Sequence, residues 1–153
     1  MFTQPCSINV NKYDLRIKLY ILGYKMKGKL KAFPFIYCKN GYFRTPSFNE
    51  KPSKNSYIDC GTNEDLFLAI ASLRDDTDRG QWFVKNDENV WLQCVDNKFV
   101  FYTCINESGS YELKDISTLY HKATVQEIIE HFSKKDAYFS AASSSPSMNS
   151  HTV

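Results

Sequence analysis

From position 15 to 22, Leu15, Ile17, Leu19 and Ile21 alternate with Arg16, Lys18, Tyr20 and Leu22. A period of two predicts a half-buried strand, which Gly23 ends. Residues 30–38 predict a second strand. Pro34 inside it has no N–H to donate, which points to an edge position or a bulge. The period then changes. Thr62 with Asp65 three residues on is a helix start signal, and Leu66, Ile70 and Leu73 follow on one face with Phe67 beside them. Thr124 with Glu127 is a stronger capping box. Val125, Ile128, Ile129 and Phe132 follow at i, i+3, i+4 and i+7, and Ala123 is placed to staple against Ile128. Both helices read as short, so packing on a sheet must hold them rather than propensity.

Between the two helices lies an aromatic-rich meander. Residues 81–85, 90–95, 98–105 and 110–113 each predict a strand. Asp96-Asn97 predicts a two-residue turn, because both residue types tolerate positive φ. That turn would pair Cys94 with Phe99, Leu92 with Phe101 and Val90 with Thr103. One sheet face would then carry Val90, Leu92, Cys94, Phe99, Phe101 and Ile105. The other would carry Trp91, Gln93, Val95, Lys98, Val100, Tyr102 and Cys104, which sets Cys94 and Cys104 on opposite faces and excludes a disulfide between them. The second face is neither clean core nor clean solvent surface. Left wet, it is a binding surface; the competing reading is that the N-terminal strands or the tail cover it.

The predicted fold class is therefore α+β, an antiparallel β-meander sheet with two short capped helices packed on one face. Residues 1–139 form the single domain, with a loop at 45–56 where Pro46 and Pro52 stand among Ser, Asn and Lys. Residues 140–153 are small, polar and aperiodic and predict a disordered Ser-rich tail.

Composition narrows this picture. The 153 residues fit one domain, and eleven Phe, ten Tyr and two Trp supply more aromatic surface than a core of that size consumes. The five cysteines, Cys6, Cys38, Cys60, Cys94 and Cys104, are odd in number and contain no CxxC pair, so neither a disulfide framework nor a zinc site of ordinary spacing is expected. No apolar run approaches the ~20 residues that span a bilayer. These features predict a reduced, cytoplasmic protein with no membrane partner, no metal and no cofactor. The formal net charge of +2 conceals an asymmetry: residues 12–51 hold ten Lys or Arg against Asp14 and Glu50, while residues 59–130 hold fourteen Asp or Glu against six Lys or Arg. The two stretches either face each other and neutralise, or steer charged partners.

Motifs of chemistry are sparse. Gly23, Gly28 and Lys29 have the spacing of a phosphate loop, but Leu30 stands where Ser or Thr must hold magnesium, and Pro34 lies where the following helix should run. A lysine-rich hairpin turn is the better reading. His121, His131 and His151 stand in no metal-binding or nucleophile array, and no serine elbow or dinucleotide fingerprint is present. No catalytic residue is assigned and the chain is not expected to be an enzyme. A Cys–His pair that meets only in space is a third reading, which predicts an unusually reactive thiol.

Two surfaces suit macromolecular partners. Asp75, Asp76 and Asp78 cluster after the first capped helix, and Asp87 and Glu88 occupy the next turn. Together with Trp91 and Tyr102 they make a candidate protein-binding set, with carboxylates for steering and aromatics as anchors. Alternatively, Arg16, Lys18, Lys25, Lys27, Lys29 and Lys31 interleave with Tyr20, Tyr24 and Phe33, a pattern that suits single-stranded nucleic acid. The strand leading into Thr62-Asn63-Glu64-Asp65-Leu66, the aromatic meander, and the closing helix from Thr124 through Glu127, Ile128 and Ile129 to Phe132 together resemble small cytoplasmic immunity proteins. These are the inhibitors of bacterial toxin–immunity systems, contact-dependent inhibition among them. The resemblance covers about half the chain, residues 57–132, and is architectural. It implies a non-enzymatic protein that binds one toxin domain and occludes it. The nucleic-acid-binding accessory protein is the alternative.

Overall fold

A computed structural model describes residues 1–107 and 110–144. The class is α+β. A five-stranded mixed sheet has the order β2-β4-β3-β1-β5, from β1 (Cys6–Ile8), β2 (Lys25–Met26), β3 (Ile36–Lys39), β4 (Tyr42–Arg44) and β5 (Ile58–Asp59). A three-stranded antiparallel sheet has the order β10-β6-β7, from β6 (Trp82–Lys85), β7 (Trp91–Gln93) and β10 (Tyr120–Lys122). A separate antiparallel ribbon pairs β8 (Tyr102–Glu107) with β9 (Ser110–Asp115). The helices are α1 (Tyr13–Leu22), α2 (Glu64–Ala71) and α3 (Val125–Ser144). Where a single meander with two helices is expected, the described residues form three sheets with three α-helices.

The core forms around β1, which is buried along its whole length between antiparallel β3 and parallel β5. Helix α2 packs on β1 and is itself packed by α1 and α3. Its apolar residues Leu66, Phe67 and Ile70 are buried as their spacing predicts. Its cap is one residue later than expected: Asn63, not Thr62, accepts the Leu66 N–H at 3.0 Å, and the same Asn63 side chain donates to the Phe132 carbonyl at 3.2 Å. One amide thereby starts α2 and ties it to α3. The capping box of α3 forms as read, with Thr124 Oγ1 accepting the Glu127 N–H at 3.1 Å and Glu127 Oε1 accepting the Thr124 N–H at 3.0 Å. Ala123, Ile128 and Phe132 are buried beneath it. The helix runs on to Ser144, through the start of the expected tail; residues 145–153 of that tail lie outside the described residues.

The predicted strand at 15–21 is helix α1. Leu15, Leu19 and Leu22 recur at i, i+4 and i+7 and turn toward the core, while Tyr13, Ile17, Tyr20 and Ile21 recur at i, i+4, i+7 and i+8 on the opposite side. Two apolar stripes on one short helix read, residue by residue, as alternation. The start carries no side-chain cap, so nothing in the sequence announces it. Gly23 does end the element, but as a helix cap: at φ 112° its N–H reaches the carbonyls of Leu19 and Tyr20, a left-handed conformation that glycine adopts freely. The expected lysine-rich hairpin turn is instead the short strand β2, parallel to β4. The strand expected at 30–38 begins only at Ile36, beyond Pro34.

The Asp96-Asn97 hairpin does not form. Strand β7 pairs with β6 (Phe83 opposite Leu92), and β8 pairs only with β9, so the predicted partners Cys94–Phe99, Leu92–Phe101 and Val90–Thr103 are not made. Competing bonds explain this. The Asn97 carbonyl accepts from Asp78 N–H at 2.8 Å, Cys94 N–H goes to the Gln81 carbonyl at 2.8 Å, and Asp78 Oδ2 accepts the Phe99 N–H at 2.8 Å. The Phe99 ring stacks flat on Phe83 at 4.0 Å. The loop before β6 therefore takes the backbone groups that a β7–β8 ladder would need.

Helix and strand make different demands at 15–22. As a helix, Leu19 is fully buried and Ile21 is 70% exposed. Leu19→Ala is expected to cost ~2–5 kcal/mol and Ile21→Ala under ~0.5 kcal/mol in urea unfolding. Equal losses would favour the strand, in which the two share a face.

Candidate functional site

The acidic residues singled out by the sequence are largely used within the fold. Arg74 grips Asp76 with both ends of its fork, Nε to Oδ1 at 2.8 Å and Nη2 to Oδ2 at 2.7 Å, while its Nη1 donates to the Leu22 carbonyl at 3.2 Å. Its guanidinium also lies 4.4 Å from the centre of the Phe2 ring. The Met1 ammonium contacts both Asp75 and Asp76. These cations hold the two carboxyls below their ordinary range, Arg74 foremost for Asp76 and the ammonium for Asp75. Asp78 pairs with Lys122 at 3.2 Å besides accepting from Phe99. Asp87 sits at φ 66° in the β6–β7 turn, and Glu88 pairs with Lys85 across it. The cluster is a clamp on the chain start and on the loop before β6.

The basic residues divide in a similar way. Arg16 donates to Asn11, Lys18 pairs with Asp14 and Lys31 with Glu50. Lys25, Lys27 and Lys29 are exposed and make no ion pair among the described residues. Between the basic and acidic stretches, Lys12–Glu64 at 2.8 Å is the described ion pair that joins them, so neutralisation is mainly local.

The aromatics Trp91 and Tyr102 do not share a sheet. Trp91 is half-buried against the core, stacks on His131 at 3.9 Å and donates from Nε1 to Asn89 Oδ1 at 2.9 Å. His121 lies between the Asn86 side chain, 2.7 Å from Nδ1, and Glu127, 2.9 Å from Nε2. Burial raises the Glu127 carboxyl, but the Thr124 N–H and His121 outweigh it and leave Glu127 below its ordinary value. These rings brace β10 and the start of α3. All five cysteines are free thiols, four buried and Cys104 exposed. No metal-binding group of three is found among the described residues, and no described helix is long and apolar enough to cross a membrane.

Tyr102 lies on the β8–β9 ribbon, and that ribbon gathers several exposed apolar side chains on one face. Cys104 pairs directly with Leu113, so the two occupy one face, with Tyr102 and Tyr111 two residues away on their own strands and on the same side. Tyr102 is 55% exposed, Leu113 70% and Tyr111 78%. The base of the ribbon is fixed: the Ile116 N–H reaches the Phe101 carbonyl at 2.7 Å, and Phe101 meets Tyr120 edge-on at 5.7 Å, which in turn contacts Phe99. Asp115 accepts from Ser117 N and Oγ, which depresses its pKa and holds the turn that follows. An anchored base under an uncovered apolar face is the geometry of a docking element. The sequence marked Tyr102 but not Tyr111 and Leu113, whose alternation with Glu112 and Lys114 reads as an ordinary half-buried strand.

Comparison with protein-family models, with curated proteins and with solved structures gives no match to this chain.

The Arg74–Asp76 clamp predicts a pH signature. A carboxyl depressed in the fold stabilises fully above its unfolded pKa of about 3.9 and loses that contribution as pH falls through the depressed value. Asp76→Ala is therefore expected to destabilise at neutral pH, with the difference from the parent shrinking below about pH 4 in urea titrations. A difference that does not change with pH would contradict the clamp.

Proposed function

We propose that this chain is a non-enzymatic protein-binding inhibitor of the toxin–immunity kind, which holds one partner domain through the Tyr102, Cys104, Tyr111 and Leu113 face of the β8–β9 ribbon. The single observation that carries the reading is that face, apolar and exposed on a ribbon that no further strand covers among the described residues. Tyrosines and leucine in the middle of such a patch can desolvate against a partner and act as anchors. Asp115, opposite Tyr102 on the same face, supplies a polar edge to it. The identity of the partner as a toxin domain rests on the resemblance carried by residues 57–132. Action in the cytoplasm fits five unpaired cysteines.

The test is capture followed by a toxicity assay. Tagged parent protein in its native lysate is expected to retain one protein in stoichiometric amount. That protein should arrest growth when expressed alone and be silenced by co-expression of this chain. A Tyr111→Ser/Leu113→Ser double variant, altered only at exposed positions, should fold normally and bind at least ~30-fold more weakly, the loss that marks an interface hot spot of about 2 kcal/mol. Protection undiminished in the double variant would remove the ribbon from the interface. A captured protein without toxicity would remove the inhibitor reading, and retention of nucleic acid with a steep salt dependence would favour Lys25, Lys27 and Lys29 as the working surface.

A further inference from the structure

A concavity lies apart from the ribbon and shares no residue with its exposed face. It is a groove of about 540 Å³ between α1, α2, the β6–β7 sheet and α3. Leu22, Leu68, Ala69, Trp82 and Phe132 give it an apolar lining from all four sides. The close seating of α1 on the entry to β6 defines one wall: Gly80 stands at φ 79°, where an added Cβ would lie 2.8 Å from Leu22 Cδ2. A side chain there would collide with α1 and would be strained by the backbone as well. Trp82 is held against Phe132 at 5.7 Å, so the aromatic part of the lining is braced from within the fold.

The charges at the groove decide what it accepts. Lys18 is paired with Asp14 at 3.1 Å, and Asp65 is engaged within the fold. Arg79 also lines the groove, and its guanidinium has no partner among the described residues. An apolar concavity with one unpaired guanidinium at its edge is complementary to an apolar body that ends in a carboxylate, because the guanidinium fork matches a carboxylate with two parallel hydrogen bonds. The volume falls within the ~300–1,000 Å³ usual for small-molecule sites. We propose that this groove binds a small amphipathic monocarboxylate, its apolar body against Trp82 and Phe132 and its carboxylate on Arg79.

Decanoate and decanol, both kept below the concentrations at which they aggregate, are the probes. Binding is read by calorimetry and by tryptophan fluorescence in a Trp91→Phe background, which leaves Trp82 as the reporter. Decanoate is expected to saturate at one per chain and to bind about tenfold more tightly than decanol, the share of a charge-assisted contact. Arg79→Gln, an exposed change that leaves the packing alone, should erase that tenfold preference while decanol binding stays the same. Leu68→Trp should fill the groove and abolish both, with the melting curve showing that the chain still folds. Absence of saturable decanoate binding to the parent, or a preference for decanoate that survives Arg79→Gln, would overturn the proposal. So would loss of protein-partner capture in Leu68→Trp when the parent shows no decanoate binding, since the groove would then belong to the partner.

Discussion

Two strands paired with each other have two faces and nothing of their own to cover either. A ribbon of this kind is marginal in water unless something packs against it. In this protein the β8–β9 ribbon is anchored at its base by Phe101, Tyr120 and Phe99, yet Tyr102, Cys104, Tyr111 and Leu113 remain on an uncovered face. The elements around β1 meet the opposite standard, although α1 also keeps Tyr13 and Ile21 exposed on its outer side. Strand β1 is buried throughout, and α2 is covered by β1, α1 and α3. The contrast between a closed core and an open ribbon is what directs attention to a partner.

The sequence was most legible where a local device sets an element without outside help. The reciprocal bonds of Thr124 and Glu127 depend on four residues alone, and they form as read. The buried face of α2 was equally plain, with its cap displaced by one residue because an asparagine stood beside the threonine. Helix α1 was hidden because it is apolar on two sides: Leu15 and Leu19 seek the core while Ile17 and Ile21 do not, and the run mimics a strand. Its uncapped start removed the one local signal that would have resolved the ambiguity. The 90–105 region failed for a different reason. Asp96-Asn97 is a competent turn in isolation, but Asp78, Gln81 and Phe83 lie at long range and take up the groups that the turn would have aligned. Tertiary competition of that kind is invisible to a window of ten residues.

The candidate site shows the same division. Carboxylates clustered in a loop look like a steering surface when read along the chain, yet the neighbouring Arg74, with Lys122 and the Met1 ammonium brought in from elsewhere, pairs most of that charge at the surface. Trp91 was expected beside Tyr102 and instead stacks on His131. Tyr102 was marked, while Tyr111 and Leu113 needed the β8–β9 register before their shared face could be recognised. The groove beside Trp82 is assembled from residues on five separate elements and the loops next to them, and had no counterpart in any local pattern.

Cys104 offers the most direct measurement, because it is the exposed thiol of the five and sits in the middle of the ribbon's apolar face. Its alkylation rate can be followed by mass spectrometry in the free chain and in the complex retained from native lysate. If the face is the docking surface, Cys104 reacts readily in the free protein and is shielded in the complex. An unchanged rate in a stoichiometric complex would show that the partner sits elsewhere and would contradict the role assigned to the ribbon.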